Sequence, residues 1–577
     1  MIGAALALLL GSAALVGGRR TRRTGDVRRA TCPVRPVWNA AAISGEYVSA
    51  AAFLGTAGLV LAYGPETLWL AAGATAGYVL LLAFVAGPLR RSGSFTVADF
   101  AEWRLGSRPV RRIVSGCVCC VGWFYLLPQF QGAGMTLRVL TGAPEWAGWA
   151  LVAAASFVLV LTGALRGVTA AQAVQFWVKL AALAVPAVAL ATLLLLPVAD
   201  GGVPVRPAAP RFERATAVTV RSAAGVRVAE DVAVRATGVV DGRAVADAPV
   251  RLTAGVHAVA AGARLVFPAG AAVPRPERPA DTGFAAPGDG HGLFAVYSAL
   301  LGVLLGTVGL PHILMRLYTA GGGRAARRAA TLVPALLAVF SLFPALYGVL
   351  GRVYTPELLL SGDTDATILM LPGRLVPGPL GAALTGCVAA GACAAFLSTS
   401  CAVVAAIAGL AARIAPARGA LAFRTGAALA LAVPLAVVPA LLAGDPAADG
   451  AHGFAHGFSH GFSHGAAGLV TIALTVSACS LGPLLLLGIW WRGLTPAGAA
   501  AGLLTGGGTA VAAGAASLSG AAGTGAFGAV VEQPALVLAP LATGVMVAVS
   551  LLGRRSVPAH ADLAMARLHL PDEPDAR

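Results

Sequence analysis

The sequence predicts an all-α integral membrane protein with about thirteen transmembrane helices and one small β-rich insert. Of its 577 residues, 58% are hydrophobic and only 11% are charged, whereas about a quarter of the residues of a soluble domain are charged. Long apolar runs recur along the chain, each near the ~20 residues that a helix needs to cross a bilayer. The formal net charge of +16 does not indicate nucleic-acid binding, because the arginines sit mainly in short gaps between these runs, as membrane topology requires.

Residues 1–37 are predicted to hold the first transmembrane helix and a basic cytoplasmic loop. The apolar run 1–18 has neither a positively charged start nor a convincing cleavage site, which favours a retained helix over a signal peptide. The positive-inside rule places the following basic loop in the cytoplasm and the N-terminus outside. The arginines of this loop are Arg19, Arg20, Arg22, Arg23, Arg28 and Arg29.

The remaining transmembrane helices are predicted from further apolar runs. They lie at 38–63, 67–88, 110–138, 146–165, 173–198, 291–318, 329–353, 376–412, 419–443, 466–490, 494–516 and 534–552. If the chain crosses the bilayer at each run, the arginine-rich gaps all face the cytoplasm, in agreement with the positive-inside rule. We therefore expect a multi-pass protein of the plasma membrane, with residues 556–577 as a cytoplasmic tail.

Two polar segments interrupt the apolar pattern. Residues 199–290 contain alternating stretches at 226–234 and 245–252, which predict short strands in an extracellular insert. A passive insert is favoured over a substrate-capturing lid, because no site-like group of residues occurs in it. The external loop 444–465 repeats a histidine every four residues, which suits a metal site or, more simply, a flexible low-complexity loop. Those histidines are His452, His456, His460 and His464.

Sites for transported ions are expected where membrane helices are interrupted, because unwound backbone exposes carbonyl groups. The run 42–55 contains Glu46, which needs water at the cytoplasmic mouth or a buried partner. The run 302–319 is broken by glycine and proline at 306–312, although a simple proline kink is the alternative. Residues 395–400 carry hydroxyl groups suited to Na⁺, although such groups also bond to their own helix.

At these positions the chain resembles the sodium:solute symporter family, and most closely its cation/acetate symporter branch. The resemblance covers most of the chain apart from the insert and the histidine-rich loop. The matching segments are 44–55, 98–104, 167–175, 309–319, 396–400 and 485–493.

This resemblance implies a LeuT-like core of two inverted five-helix repeats, at 38–198 and 291–493, followed by two C-terminal helices at 494–555. It also implies a Na⁺ site made of backbone carbonyls and two hydroxyl side chains. The carbonyls are those of Gly45, Val48 and Ala395, and the side chains are those of Ser398 and Thr399.

The resemblance further implies uptake of acetate or another short monocarboxylate, coupled to inward Na⁺ movement by alternating access. The implied partners are the solute, Na⁺ and the lipid bilayer, with no catalytic role and no cofactor. Candidate substrate-lining residues are Ser44, Gln129, Gln131 and Thr307, although bonding between helices explains the two glutamines equally well.

Two residues leave the coupling ion open. Gln172 stands where some relatives carry an acid near the sodium exit path. Lys179, the only lysine in the sequence, is explained either by snorkelling toward the cytoplasmic interface or by replacing the sodium ion, as in certain proton-coupled carriers of this fold. The alternatives are therefore a proton-coupled carrier, a symporter for another small solute such as proline, and a transporter-fold sensor.

Overall fold

A computed structural model describes most of the chain. The described residues are 36–162, 165–195, 210–212, 214–220, 223–277, 292–317, 323–376, 378–414, 419–442, 465–519, 521–523 and 525–570. The predicted first helix at 1–18 and the four histidines of the loop at 444–465 lie outside this set.

The described part is mainly helical. We number its helices α1 Pro36–Tyr47, α2 Ala51–Tyr63, α3 Pro65–Ser92, α4 Val97–Leu105, α5 Arg108–Thr141, α6 Glu145–Thr162, α7 Leu165–Leu195, α8 Gly292–Val308, α9 Pro311–Leu317, α10 Gly323–Tyr354, α11 Leu358–Ser361, α12 Thr367–Leu375, α13 Pro379–Ile414, α14 Gly419–Leu442, α15 Ala466–Cys479, α16 Leu481–Trp490, α17 Pro496–Leu518, α18 Gly525–Glu532, α19 Ala535–Leu552 and α20 Ala561–His569. Short 3₁₀ turns lie at Thr364–Ala366 and Arg554–Ser556.

The described helices confirm an all-α membrane protein. Eleven are long and apolar enough to span a membrane, or twelve when the bent pair α1 and α2 counts as one span. Every apolar run predicted from residue 38 onward coincides with one of these spans, with ends shifted by a few residues. Such shifts are expected because hydropathy locates the apolar stretch and not the capping residues.

Within the described residues, five spans precede the insert and five follow it before α17, and the first described span of each set is broken. Helices α1 and α2 meet at an angle of 76°, and α8 gives way to α9 at Gly309 and Leu310. Helix α13 lies at the centre, with 89% of its most apolar window buried, and it packs against α1, α5, α6, α7 and α14. The two broken spans therefore surround a buried central helix.

The insert forms a seven-stranded sheet, in agreement with the prediction that it is rich in short strands. The strands are β1 Thr216–Thr219, β2 Ala224–Val228, β3 Val232–Val240, β4 Arg243–Leu252, β5 Gly255–Val259, β6 Arg264–Phe267 and β7 Arg275–Pro276. Their order is β1-β6-β3-β5-β2-β7, with β4 paired to β3. The predicted strand at 226–234 was wrong in its limits, because two bend residues and the one after them, 229–231, separate β2 from β3.

The segment 355–378 joins the insert to the helical bundle on the side that we call the insert side. Leu360 of α11 belongs to the hydrophobic core of the insert, and the Arg374 guanidinium lies 5.2 Å from the ring centroid of Phe212. Asp363 forms an ion pair of 3.1 Å with Arg138 at the end of α5. The insert and the bundle are therefore physically connected through this segment.

The C-terminal segment, predicted as a cytoplasmic tail, contains a helix that the sequence pattern did not predict. Residues 561–569 form the helix α20, which packs against the end of α3 and against α4 and α16. Leu568 is fully buried, and its carbonyl accepts a bond of 2.7 Å from the Arg91 side chain. The sequence pattern missed this helix because it has only 9 residues, so its stability comes from tertiary contacts.

Asp365 caps the first helix after the histidine-rich loop. Its carboxylate accepts a bond of 2.8 Å from the backbone N–H of Ala466, at the start of α15. Burial raises the pKa of Asp365 from 3.8 to about 6, although the bond from Ala466 acts in the opposite direction. Because the pKa is higher in the folded state, the stabilising contribution exists at low pH and is lost as the pH rises through about 6.

We expect Asp365→Asn to raise the melting temperature of the purified protein by about a few degrees above pH 6, because an amide keeps the cap without a buried charge. The gain should shrink as the pH falls from about 6 toward 3.8, because the folded state then holds the proton and the unfolded state begins to bind it. Thermal unfolding at pH 7.5 and pH 4.5 measures it. The control is Asp363→Asn, which loses a half-exposed ion pair and should gain nothing. If Asp365→Asn melts at or below the wild-type temperature at pH 7.5, the ionised Asp365 carboxylate does not destabilise the folded protein, which would contradict its raised pKa.

Candidate functional site

The break between α1 and α2 exposes backbone groups that need partners inside the bundle. The Ser49 N–H turns back to the Tyr47 carbonyl at 2.8 Å, and the Ala50 N–H donates to the Gln129 side chain of α5 at 3.0 Å. As a result, the carbonyls of Gly45 and Glu46 lose the i+4 N–H groups that a continuous helix would supply. In the hydrocarbon region such carbonyls must be satisfied by other groups.

The side chain of Lys179, on α7, supplies much of what these carbonyls need. Its Nζ atom donates to the Gly45 carbonyl at 2.5 Å, to the Val48 carbonyl at 2.8 Å and to the Ser398 hydroxyl of α13. Lys179 has no solvent exposure, so the snorkelling interpretation was wrong. An ammonium group has three N–H donors, and this one has three acceptors drawn from α1, the break and α13.

These acceptors are three of the five groups expected to hold Na⁺. A fourth, the Ala395 carbonyl, accepts a bond of 3.2 Å from the Ser398 hydroxyl. The fifth, the Thr399 hydroxyl, donates to the Glu46 carbonyl at 3.0 Å. The five groups thus lie close together, as the Na⁺ prediction requires, but the lysine ammonium takes the central position. The Na⁺ assignment itself stays a prediction.

Close packing between α1 and α7 brings the lysine within reach of the break. A Cβ atom on Gly45 would lie 2.6 Å from the Gln172 carbonyl oxygen and 3.3 Å from the Phe176 Cβ. Since the first of these is a backbone atom, a larger residue would force the two helices apart. Glycine at position 45 therefore lets α1 and α7 lie close enough together for Lys179 to reach the break.

A buried ion pair links the two broken spans. The Arg316 guanidinium of α9 pairs with the Glu46 carboxylate of α1 and also donates to the Gln172 side chain. Glu46 is fully buried and Arg316 is 4% exposed, so Glu46 has a buried partner and is not solvated at a mouth. The Gln172 amide donates in turn to the Ser398 carbonyl at 3.1 Å. Arg316 was missed as a site residue, although an arginine beside the break at 306–312 was a visible signal.

The second break, between α8 and α9, is satisfied in a similar way. Pro311 has no N–H, so it cannot continue the helical bonding of α8. The Gly306 carbonyl accepts bonds from the Gly309 N–H at 3.1 Å and from the Ser477 hydroxyl of α15 at 2.8 Å. The interruption is therefore a true unwinding held by a neighbouring helix, and not a simple proline kink.

Two of the four candidate substrate-lining residues already use their side chains in hydrogen bonds within the bundle. Gln129 is committed to the break through its bonds to Ala50 and to the Tyr125 carbonyl, which favours its interhelical interpretation. Thr307 donates to the Val303 carbonyl of its own helix at 2.7 Å, and Gln131 is half-buried on α5. Ser44 is fully buried beside the break, and its hydroxyl has no bonding partner in the described part of the chain.

A cluster of buried aromatic residues, which we call the aromatic cluster, lies next to both breaks. Tyr47 packs edge-on against Tyr78 with ring centroids 5.1 Å apart, and Tyr125 lies 4.9 Å from His312. Thr307 lies near the Tyr47 hydroxyl, and Ser49 lies near the Tyr125 hydroxyl. The Tyr78 hydroxyl and the His312 Nε2 atom are buried and have no hydrogen-bond partner among the described residues. The cluster consists of Tyr47, Tyr78, Tyr125 and His312.

Comparison with known proteins identifies the group to which this architecture is related. A sequence model described as the sodium:solute symporter family matches residues 30–194. Those residues include α1, α2 and Lys179, and so the first break and its lysine. The resemblance to the sodium:solute symporter family is confirmed. The family match ends before the second broken span.

Two curated relatives agree with the family match. A monocarboxylic acid transporter of Corynebacterium glutamicum is 28% identical over 335 residues, which is 57% of this chain and 51% of that protein. The uncharacterized symporter YwcA of Bacillus subtilis is 30% identical over 157 residues, which is 27% of this chain and 31% of that protein. The chain thus spans about half or less of the length of these relatives.

A solved structure supports the fold across nearly the whole chain. It is the substrate-bound outward-open state of a Na⁺-coupled sialic acid symporter, with 12% identity and a TM-score of 0.60. The match covers 96% of this chain and 97% of that one. At this low identity the likeness concerns the fold alone.

We expect Gly45→Ala to lower the melting temperature, because the added methyl group meets the backbone of α7. Overpacking of this kind typically destabilises by about 1–3 kcal/mol. Gly508→Ala is the matched control, since Gly508 also lies in a membrane span and a Cβ there has no neighbour within 4 Å. Thermal unfolding of both purified variants measures the difference. Equal melting temperatures for the two variants would mean that the contact between α1 and α7 is not tight.

Proposed function

We propose that this protein is a secondary symporter that carries a small monocarboxylate into the cell together with a proton held by Lys179. The single observation that carries the proposal is the position of the Lys179 ammonium on Gly45, Val48 and Ser398. A positive charge that is part of the chain takes the position expected for Na⁺. The cation that enters and leaves is then the proton on this amine.

Protonation can control the geometry of the break because it changes the number of hydrogen bonds that the amine donates. The ammonium has three donors, whereas the neutral amine has two. Loss of the proton therefore removes one of the three contacts that tie α1, the break and α13 together. We infer that the proton strengthens the contact of α1 and the break with α13 and that its release weakens this contact, whereas alternating access requires both the loaded and the empty protein to change conformation.

The surroundings of Lys179 contain few other charged groups among the described residues. From α1, Glu46 faces it and interacts with it electrostatically; from α13, the neutral hydroxyls of Ser398 and Thr399 face it. From α10, the Tyr347 hydroxyl donates to the Leu183 carbonyl of α7. The ion pair of Arg374 with Glu357 lies at the end of α12. Arg316 reaches α7 through Gln172.

A monocarboxylate is proposed as the solute because the relative from Corynebacterium glutamicum is named a monocarboxylic acid transporter. Acetate, propionate and pyruvate are the solutes to test. The plasma membrane is the proposed location, with the insert side outside and the arginine-rich loops in the cytoplasm. This orientation delivers the solute from the insert side.

Sodium coupling is the second candidate, favoured by the family resemblance and by the five clustered oxygen groups. In that case Na⁺ would have to displace the Lys179 ammonium, because both need the Gly45 and Val48 carbonyls and the Ser398 hydroxyl. The two candidates predict different driving ions.

We expect a proton gradient, and not a sodium gradient, to drive accumulation of labelled pyruvate in proteoliposomes that contain the full chain. The measurement compares an acidic exterior without Na⁺ with an inward Na⁺ gradient at equal pH. Protein-free liposomes correct for diffusion of the undissociated acid. Accumulation driven by Na⁺ alone would overturn the proposal and favour the second candidate.

We expect Lys179→Met to abolish proton-driven accumulation while leaving solute exchange across the membrane measurable, because methionine is of similar length but carries no proton. Arg352→Met is the matched control: it also removes a cation, but one that bonds to the Val60 and Leu61 carbonyls away from the break. Because Lys179 is the only lysine, ¹³C-labelled lysine gives a single side-chain NMR signal. That signal should titrate with pH and be unaffected by NaCl, and displacement by NaCl would contradict the assignment.

A further inference from the structure

The buried charges at the two breaks do not cancel when Lys179 is protonated. Three charged side chains of the described residues lie buried between the broken spans: Glu46, Lys179 and Arg316. Glu46 and Arg316 neutralise each other as an ion pair. The protonated lysine therefore leaves one positive charge in excess, and the neutral lysine leaves none.

An excess charge in a buried, poorly polarisable environment is costly unless a counter-charge joins it. A solute with one negative charge would restore neutrality in the protonated state. The protonated protein without the anion would carry a net charge of +1, and the deprotonated protein with the anion would carry a net charge of −1. Only the empty, deprotonated state and the fully loaded state are neutral, so these two states can change conformation most readily.

We propose that the proton on Lys179 and one monoanion cross together in a one-to-one ratio, an inference that rests on the function proposed above. The anion is received by the Tyr78 hydroxyl and the His312 ring. The transport cycle then moves no net charge. Because the proton and the anion have opposite charges, binding of one favours binding of the other. The two effects are equal in free energy, because coupling between two sites is reciprocal.

The aromatic cluster offers donors for the anion. Tyr78 is 1% exposed and His312 is 3% exposed, and no described residue bonds to the Tyr78 hydroxyl or to the His312 Nε2. His312 is close enough to Arg316 to interact with it electrostatically. Tyr78 interacts with Tyr47, Tyr125 and Glu46, so both donors lie among the groups that join the two breaks. A carboxylate placed there has positive charge nearby, a donor in the Tyr78 hydroxyl and, in the tautomer that carries the proton on Nε2, a second donor in His312.

The first test varies the membrane potential at a fixed proton gradient. Wild-type protein in proteoliposomes takes up labelled pyruvate while potassium and valinomycin set the potential to zero or to −100 mV inside. A one-to-one cycle predicts accumulation ratios that agree within about twofold. One net positive charge per cycle predicts a ratio about 50-fold higher at −100 mV. Proton-driven uptake with that voltage dependence would overturn this inference and leave the proposed function standing, whereas absence of proton-driven uptake would overturn the proposed function itself.

The second test concerns the charge of the solute. Acetate should inhibit pyruvate uptake, whereas acetamide, which has nearly the same shape without the charge, should not. Equal inhibition by the two compounds would overturn the requirement for an anion.

The third test concerns the proposed donors. Tyr78→Phe and His312→Phe each remove a donor while keeping a ring against its neighbour, and each should raise the KM for pyruvate about tenfold or more with the proton dependence unchanged. Tyr354→Phe is the control, because Tyr354 is a buried tyrosine at the far end of α10. An unchanged KM in both folded variants would overturn the placement of the anion, and the voltage test on wild-type protein does not depend on how the variants fold.

Discussion

The satisfaction of backbone carbonyls inside the bundle is the constraint on which the rest of the structure depends. A helix broken in the hydrocarbon region frees groups that water cannot reach, so each freed group needs a partner from a neighbouring helix. At the first break the partners are Gln129 for an N–H, and Lys179, Ser398 and Thr399 for the carbonyls. The helices that supply these side chains are consequently held at fixed distances from α1. The packing around α13 follows from this requirement as much as from apolar burial.

The two breaks are also connected to each other. Arg316 belongs to the second broken span, and its partners Glu46 and Gln172 belong to the first span and to the lysine-bearing helix. A change in the bonds of Lys179 therefore reaches the second break through α1 and α7. The structure contains a continuous polar path from the Ser398 carbonyl of α13 through the Gln172 side chain to the α9 guanidinium, surrounded by apolar side chains. Polar contacts of this kind in a membrane core indicate function more than stability.

The sequence predicted the helical spans well, because they depend on local patterns, whereas the ion and substrate sites stay predictions. Apolar runs marked the spans from residue 38 onward, and the motifs at 44–55 and 396–400 indicated elements that meet at the site. The partners of Lys179 and Arg316 could not be predicted from periodicity, because they join helices separated by more than a hundred residues in sequence. The helix α20 and the turn between β2 and β3 were missed for a different reason. Tertiary packing stabilises α20. Between β2 and β3, a bend interrupts an alternating pattern that by itself predicts one continuous strand.

The attachment of the insert to segment 355–378 has a practical consequence. Leu360 is buried in the insert, while Asp363 and Asp365 of the same segment bind to the ends of α5 and α15. A shift of those helix ends would therefore tilt the whole sheet, and the outer strands would move farther than the helices themselves. An antibody fragment bound to the outer strands would then serve as a visible pointer in electron microscopy, amplifying small rearrangements of the bundle into a measurable rotation.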